Sequence, residues 1–229
     1  MDVQLRSRSS RSWDADLGAA TAVSYRYDNT IRTTSCGRVS KDQSSTVGPS
    51  FGSTLANLSV QIGPLQLTNP FIAASGCFGY GVEYADIVDL SQLGGVAVKG
   101  LFLEEREGHP PARIVETPSG MLNAIGLQGI GVHRFVAEKL PQLRDRGAVV
   151  IANICGSTID EYADIARILD AADGVGAIEL NISCPNIKKG GMMFGCSLQG
   201  THDVVSAVRR VTQLPLIPKL TPNVTDVAA

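Results

Sequence analysis

Apolar and polar positions change rhythm near residue 58. Residues 1–57 mix Ser, Thr and Arg with scattered apolar positions and hold neither a two-residue nor a 3.6-residue repeat for long. Such a stretch buries too little to offset its chain entropy, so a disordered or atypical extension is expected. Beyond it, Leu58, Val60 and Ile62 alternate with polar residues, as do Leu65 and Leu67, about Gly63-Pro64, which predicts a small hairpin. Short apolar runs follow at 71–74, 95–99, 149–153, 177–181 and 216–220. Strands apolar throughout are covered on both faces, the signature of a parallel sheet. Helical patterns separate most of them. Thr158 with Glu161 makes a capping-box start, after which Ile159, Tyr162, Ile165, Ala166 and Leu169 share one face. Val204, Val205, Val208 and Val211 form a second stripe after Thr201.

Strand–helix alternation of this kind is α/β. Four of the strands end in Lys99, Asn153, Asn181 and Lys219, and polar strand ends on one rim suit a (β/α)8 TIM barrel better than an open sheet. About the first five βα units are legible, so residues 58–229 are expected to be a partial barrel domain. The pattern breaks off at Val227-Ala228-Ala229, where another helix is due, which reads as a C-terminal truncation.

Composition narrows the chemistry. With 229 residues, 44% hydrophobic, one sizeable core is expected. A net charge of −2 argues against nucleic acid or an anionic membrane as the main partner, and no apolar run is long enough to span a bilayer. Cys36, Cys77, Cys155, Cys184 and Cys196 show no C-x-x-C, and His109, His133 and His202 are scattered, so a disulfide framework, zinc or an iron–sulfur site is poorly supported. A reducing, cytoplasmic setting is the expectation. Arg6, Arg8 and Arg11 among serines hint at a transit peptide, but Asp14 and Asp16 spoil its acid-poor pattern.

The most informative segment is Asn181-Ile182-Ser183-Cys184-Pro185-Asn186, directly after the run ending Ile178-Glu179-Leu180. Pro185 stops the strand because it has no N–H for a ladder. A cysteine between asparagines there is either a small buried hydrophobe or a reacting group at a strand's carboxyl end. Three other stretches bear on the choice. Ala73-Ala74-Ser75-Gly76-Cys77-Phe78-Gly79-Tyr80-Gly81 puts glycines at the first strand's exit, where backbone can approach a flat ligand closely. A long loop from Glu116 through Met121, Asn123, Ala124, Ile125, Gly126 and Leu127 to Gln128 offers amide and backbone groups. Lys219-Leu220-Thr221-Pro222-Asn223-Val224-Thr225-Asp226 closes the fifth strand.

In order and spacing, these four stretches resemble dihydroorotate dehydrogenase of class 1B, the catalytic subunit of the NAD-linked bacterial enzyme. The resemblance implies an FMN-containing barrel that oxidises dihydroorotate to orotate in pyrimidine biosynthesis. It also implies a homodimer core of a heterotetramer, with a partner subunit that carries FAD and a 2Fe–2S cluster and passes electrons to NAD. By the same resemblance, Cys184 is the base that takes a proton from the ring carbon beside the one losing hydride. Lys188, Lys189 and Lys99 are the cations that would favour its thiolate, and Gly190-Gly191 would let the loop move. FMN would lie against Ser75, Lys99, Gly100, Asn153, Asn181 and Lys219, and Lys219 would stabilise the anionic reduced flavin. Dihydroorotate would be held by Lys99, Asn123, Ala124, Ile125, Gly126, Leu127 and Asn181.

Departures from the pattern are Pro218 within an expected central strand, Cys196 where a polar turn residue is usual, and residues 1–57, which have no counterpart. The later strands of such a barrel would carry the loops that bind the FMN phosphate. Two other readings stay open. Dihydropyrimidine dehydrogenase shares the Asn-x-Ser-Cys-Pro and Lys-Leu-Thr-Pro-Asn segments but reduces uracil and thymine. A barrel fragment with open sheet edges would be non-catalytic.

Overall fold

The computed structural model describes residues 56–183, 194–222 and 224–225. The chain divides into two units at residue 54, and the described residues belong to the second. The expected extension at 1–57 therefore lies almost wholly outside the described residues, as does Cys184 with Lys188, Lys189, Gly190 and Gly191.

The second unit opens with the expected hairpin, β1 (Val60–Ile62) paired antiparallel with β2 (Leu65–Leu67). β3 (Ile72–Ala73) and β4 (Gly95–Ala97) follow, then a second hairpin of β5 (Ile114–Thr117) and β6 (Gly120–Asn123). Helix α1 (Gly131–Arg134) runs through a π-helical stretch into α2 (Leu140–Asp145). β7 (Val150–Ile154), α3 (Ile159–Asp170), β8 (Val175–Asn181), α4 (Leu198–Arg209) and β9 (Leu216–Lys219) complete the order.

Five strands form one parallel sheet in the order β3-β4-β7-β8-β9. Each new strand pairs with the one before it in the sheet. A doubly wound sheet reverses direction at a switch point, and this one does not, so the α/β expectation holds with the strand order of a barrel wall.

Alternation along the strands sorts the core into two faces. Val96, Val98, Val150, Ala152, Ile154, Ile178 and Leu180 pack outward with Phe135, Leu143, Ile165, Leu169, Val204 and Val208 of the helical layer. Ala97, Ile151 and Ala177 point the other way and are covered by Leu65 and Leu67 of the first hairpin. One end of the inner face is thus apolar and plugged.

Several sequence expectations need correction. Of the expected loop from Glu116 to Gln128, the part up to Asn123 is instead a hairpin, in which Val115 pairs with Leu122 and Glu116 with Met121, and residues 124–128 lie outside any strand. The β-branched Ile114, Val115 and Thr117 favour strand there. Between β3 and β4 the connection is two single 3₁₀ turns, Val82–Tyr84 and Leu90–Gln92, so the first strand–helix unit lacks its α-helix. Gly76, Gly79 and Gly81 make a longer helix costly. Helix α4 starts before Thr201, because Ser197 caps it by accepting the Gly200 N–H at 3.0 Å. Pro218 lies in the edge strand of the described sheet, where a missing N–H is tolerated. The Thr158 cap stands as read: its hydroxyl accepts the Glu161 N–H at 3.2 Å.

Candidate active site

The sheet delivers polar side chains to one place because its strands run parallel and in register. Ser75 follows β3, Lys99 and Gly100 follow β4, Asn153 sits near the end of β7, and Asn181 and Lys219 end β8 and β9. By strand alternation Asn153 and Glu179 share the inward parity of Ile151 and Ala177. The plugged, apolar end of the inner face therefore passes into a polar layer at the strands' carboxyl ends.

That layer is hydrogen-bonded throughout. Ser75 Oγ donates to Glu179 Oε1 at 2.9 Å and accepts from Lys219 Nζ at 3.2 Å and Asn153 Nδ2 at 3.3 Å. Asn153 Nδ2 also donates to Glu179 Oε1. Asn181 Nδ2 donates to Asn153 Oδ1 at 3.4 Å, and Ser183 Oγ donates to Asn181 Oδ1 at 2.8 Å. Asn153 is fully buried and Ser75 nearly so, whereas the Lys219 side chain is 42% exposed and lies 4.0 Å from the Glu179 carboxylate. That pair is at the outer limit of an ion pair and contributes little alone. The Ser75 relay is the firmer link.

A cavity of about 400 Å³ opens at this rim. Ser75, Lys99, Gly100 and Asn181 line it, with Leu127, Gln128 and Phe102 on the side of the β4–β7 connection. Gly100 is there for space: a Cβ would stand 2.8 Å from Cys155 Sγ and 3.2 Å from Asn153 Oδ1. Leu127, at φ 55, follows Gly126 at φ 77, and these two left-handed residues turn the chain so that Leu127 reaches the wall. Arg106 stacks 3.6 Å over Phe102 and donates to Ser157 Oγ at 3.5 Å, tying the rim together. Behind it, burial pushes the Tyr80 phenol above its ordinary value, only partly offset by the Ile130 N–H that it accepts at 3.0 Å.

Of the residues singled out from sequence, the structure brings Ser75, Asn153, Asn181 and Lys219 into one network and sets Lys99, Gly100 and Leu127 around the same cavity. Asn123, Ala124, Ile125 and Gly126 do not line it. Asn123 pairs with Ile114 in the hairpin, and Ala124 N–H and Ile125 C=O bond to Arg113 and His109 backbone. Sequence reading missed Glu179, although a carboxylate between Ile178 and Leu180 in an apolar strand was a visible signal. It also missed that Tyr162, read only as core, donates its hydroxyl to the Asn181 carbonyl at 2.7 Å. Among the described residues no group of three His, Cys, Asp or Glu is placed to hold a metal, and no helix is long and apolar enough to cross a membrane.

The profile of the dihydroorotate dehydrogenase family matches residues 57–229. The dihydroorotate dehydrogenase B (NAD(+)) catalytic subunit of Bacteroides thetaiotaomicron is 52% identical over 173 residues, which is 76% of this chain and 57% of that protein. The subunit of the same name from Phocaeicola vulgatus is 54% identical over 173 residues, again 76% and 57%. That from a Thermoanaerobacter species is 52% identical over 171 residues, or 75% and 56%. The chain thus spans little more than half the length of these relatives. With motif, strand order and profile in agreement, the chain belongs to the dihydroorotate dehydrogenase family.

Proposed function

We propose that the second unit is the flavin- and substrate-binding part of an NAD-linked dihydroorotate dehydrogenase, working in the cytoplasm in pyrimidine biosynthesis. The observation that carries this reading is the convergence of Ser75, Asn153, Asn181 and Lys219 on one strand-end rim. The donor set suits FMN. Lys219 and Asn181 offer N–H groups to a carbonyl-bearing ring edge, and at Gly76 an added Cβ would meet nothing within 4 Å, so backbone faces open space. Oxidation of dihydroorotate to orotate removes one hydride and one proton from adjacent ring carbons, and bound FMN is the hydride acceptor that this requires.

The chain's own residues do the rest. Ser75, Lys99, Gly100, Asn153, Asn181 and Lys219 would hold the flavin, with the Lys219 ammonium favouring negative charge beside it. Lys99, Leu127 and Asn181 line the cavity where dihydroorotate would lie, and Asn123, Ala124, Ile125 and Gly126 would join them only by a shift of the hairpin exit. Cys184, three residues beyond Asn181 in sequence, is the assigned base. Because the relatives are named as catalytic subunits, a second subunit is part of the proposal, carrying FAD and a 2Fe–2S cluster and delivering electrons to NAD.

The test is anaerobic mixing of the FMN-loaded chain with dihydroorotate or dihydrouracil, followed by flavin absorbance. Bleaching by dihydroorotate and not by dihydrouracil is expected. Bleaching by dihydrouracil alone would favour pyrimidine-base reduction, and a colourless chain that retains no FMN would favour the fragment reading.

A further inference from the structure

The network at the strand ends has a direction, and a single residue sets it. A lysine ammonium and an amide nitrogen can only give protons. Both Lys219 Nζ and Asn153 Nδ2 point at Ser75 Oγ, so the Ser75 hydroxyl must send its own proton elsewhere, and the Glu179 carboxylate takes it at 2.9 Å. Asn153 Nδ2 is held toward the same carboxylate oxygen. Its amide oxygen must then face the opposite way, where it accepts from Asn181 Nδ2 at 3.4 Å and the Cys155 thiol at 3.7 Å. With its nitrogen so engaged, Asn181 turns its oxygen to the Ser183 hydroxyl at 2.8 Å. The direction of the Ser75 proton and of the Asn153 amide, and through it of Asn181, thus traces to the carboxylate at position 179.

A surface carboxylate would explain none of this. The Glu179 side chain is only 17% exposed, and its strand neighbours Ile178 and Leu180 are fully buried. Taking a carboxylate that far out of water costs several kcal/mol unless donors compensate it. Here two donors converge on one oxygen, with an ammonium 4.0 Å away.

We propose that Glu179 is a positioning residue: its carboxylate fixes the donor–acceptor direction of a hydrogen-bonded chain from Lys219 through Ser75 and Asn153 to Asn181 and Ser183. It thereby decides which groups the cavity presents to a flat, carbonyl-bearing ligand. Lys219 keeps protons to offer, and Asn181 presents an amide N–H rather than a second carbonyl. The proposal deepens the flavin reading and rests on it only for its ligand measurement. A glutamine at 179 has the same shape but carries its own donors. It can lie either way round, so the Asn153 amide is free to invert and Asn181 with it.

The experiment uses the full chain and two readouts. The first, without ligand, is the side-chain amide resonances of Asn153 and Asn181 in a nitrogen-15 spectrum. The second is the FMN dissociation constant from flavin fluorescence. Glu179→Gln is expected to move both resonances, Asn181 being linked to residue 179 through the Asn153 amide, and to weaken FMN binding by about 10-fold, as for loss of one charge-assisted hydrogen bond. Glu179→Asp, which keeps the charge, should recover much of both. An Asn181 resonance unmoved in Glu179→Gln overturns the proposal. A resonance that moves in a chain whose wild type binds no FMN sinks the flavin reading and leaves the positioning role standing. Should Glu179→Gln fail to fold, Glu179→Ala, which removes the charge, is compared with Glu179→Asp, which keeps it, and an Asn181 resonance that is the same in both is equally fatal.

Discussion

Ser75 shows how much a small side chain decides. Its hydroxyl has one proton and two lone pairs, and all three are used, by Glu179, Lys219 and Asn153. A serine is the size the site requires, since it is 8% exposed and wedged between three strand ends. Glycine does comparable work at position 100, where any side chain would collide with Cys155 and Asn153. The reacting group assigned from sequence, Cys184, carries the first prediction. In the FMN-loaded chain, Cys184→Ser should slow flavin reduction by dihydroorotate by about 100-fold or more, because an unassisted hydroxyl is a much poorer base than a thiolate. Stopped-flow absorbance at saturating dihydroorotate checks it, and a wild-type rate would remove Cys184 from that role.

Elements are positioned by local chemistry at their ends. Helix α3 begins at the Thr158 cap and ends against the strand-approach loop, where Asp170 accepts the Thr212 hydroxyl at 2.5 Å and the Gln213 N–H at 2.9 Å. These bonds, the Thr212 hydroxyl foremost, hold the Asp170 carboxyl below the usual carboxylate value. The sign follows from linkage. The unfolded chain binds the proton first as pH falls, so the contribution is complete above about pH 4 and disappears as pH drops through the lower, folded value. Asp170→Ala should therefore lower stability at neutral pH, by less than a buried charge-assisted bond would, because the carboxylate is exposed and screened by solvent. Urea unfolding from pH 7 to pH 3 should show the gap between the two proteins closing at the acid end. A gap that is constant with pH would mean that the charge plays no part.

At the scale of the molecule, the two ends of the inner sheet face have opposite characters. Leu65 and Leu67 seal one end over Ala97, Ile151 and Ala177, while Asn153, Glu179 and Lys219 make the other polar. Among the described residues, the cavity opens at the polar rim. Binding there should stabilise the fold by mass action, about 2.7 kcal/mol at 100 times the dissociation constant, or roughly 5–10 °C in Tm for a unit of this size. Thermal melts with FMN and with riboflavin, which lacks the phosphate, are the check. Both should raise Tm, because the groups on these strands address the ring. A shift with FMN alone would place the recognition on the phosphate, and no shift with either would count against a flavin site.

Local pattern was enough to specify the parallel sheet, the capped helix α3 and the polar strand ends, since burial on both faces and a hydroxyl cap are short-range demands. The family was legible for the same reason, in contiguous motifs around Asn123 and Asn181. The hairpin at Ile114–Asn123 was not, because Glu116, Pro118, Ser119 and Gly120 read as loop until pairing between strands is counted. Glu179 was not either. What a carboxylate in an apolar strand does depends on which donors meet it, and Ser75 and Lys219 lie 104 and 40 residues away along the chain. Only folding brings them within 4.0 Å, and it is that proximity that turns separate polar residues into a site.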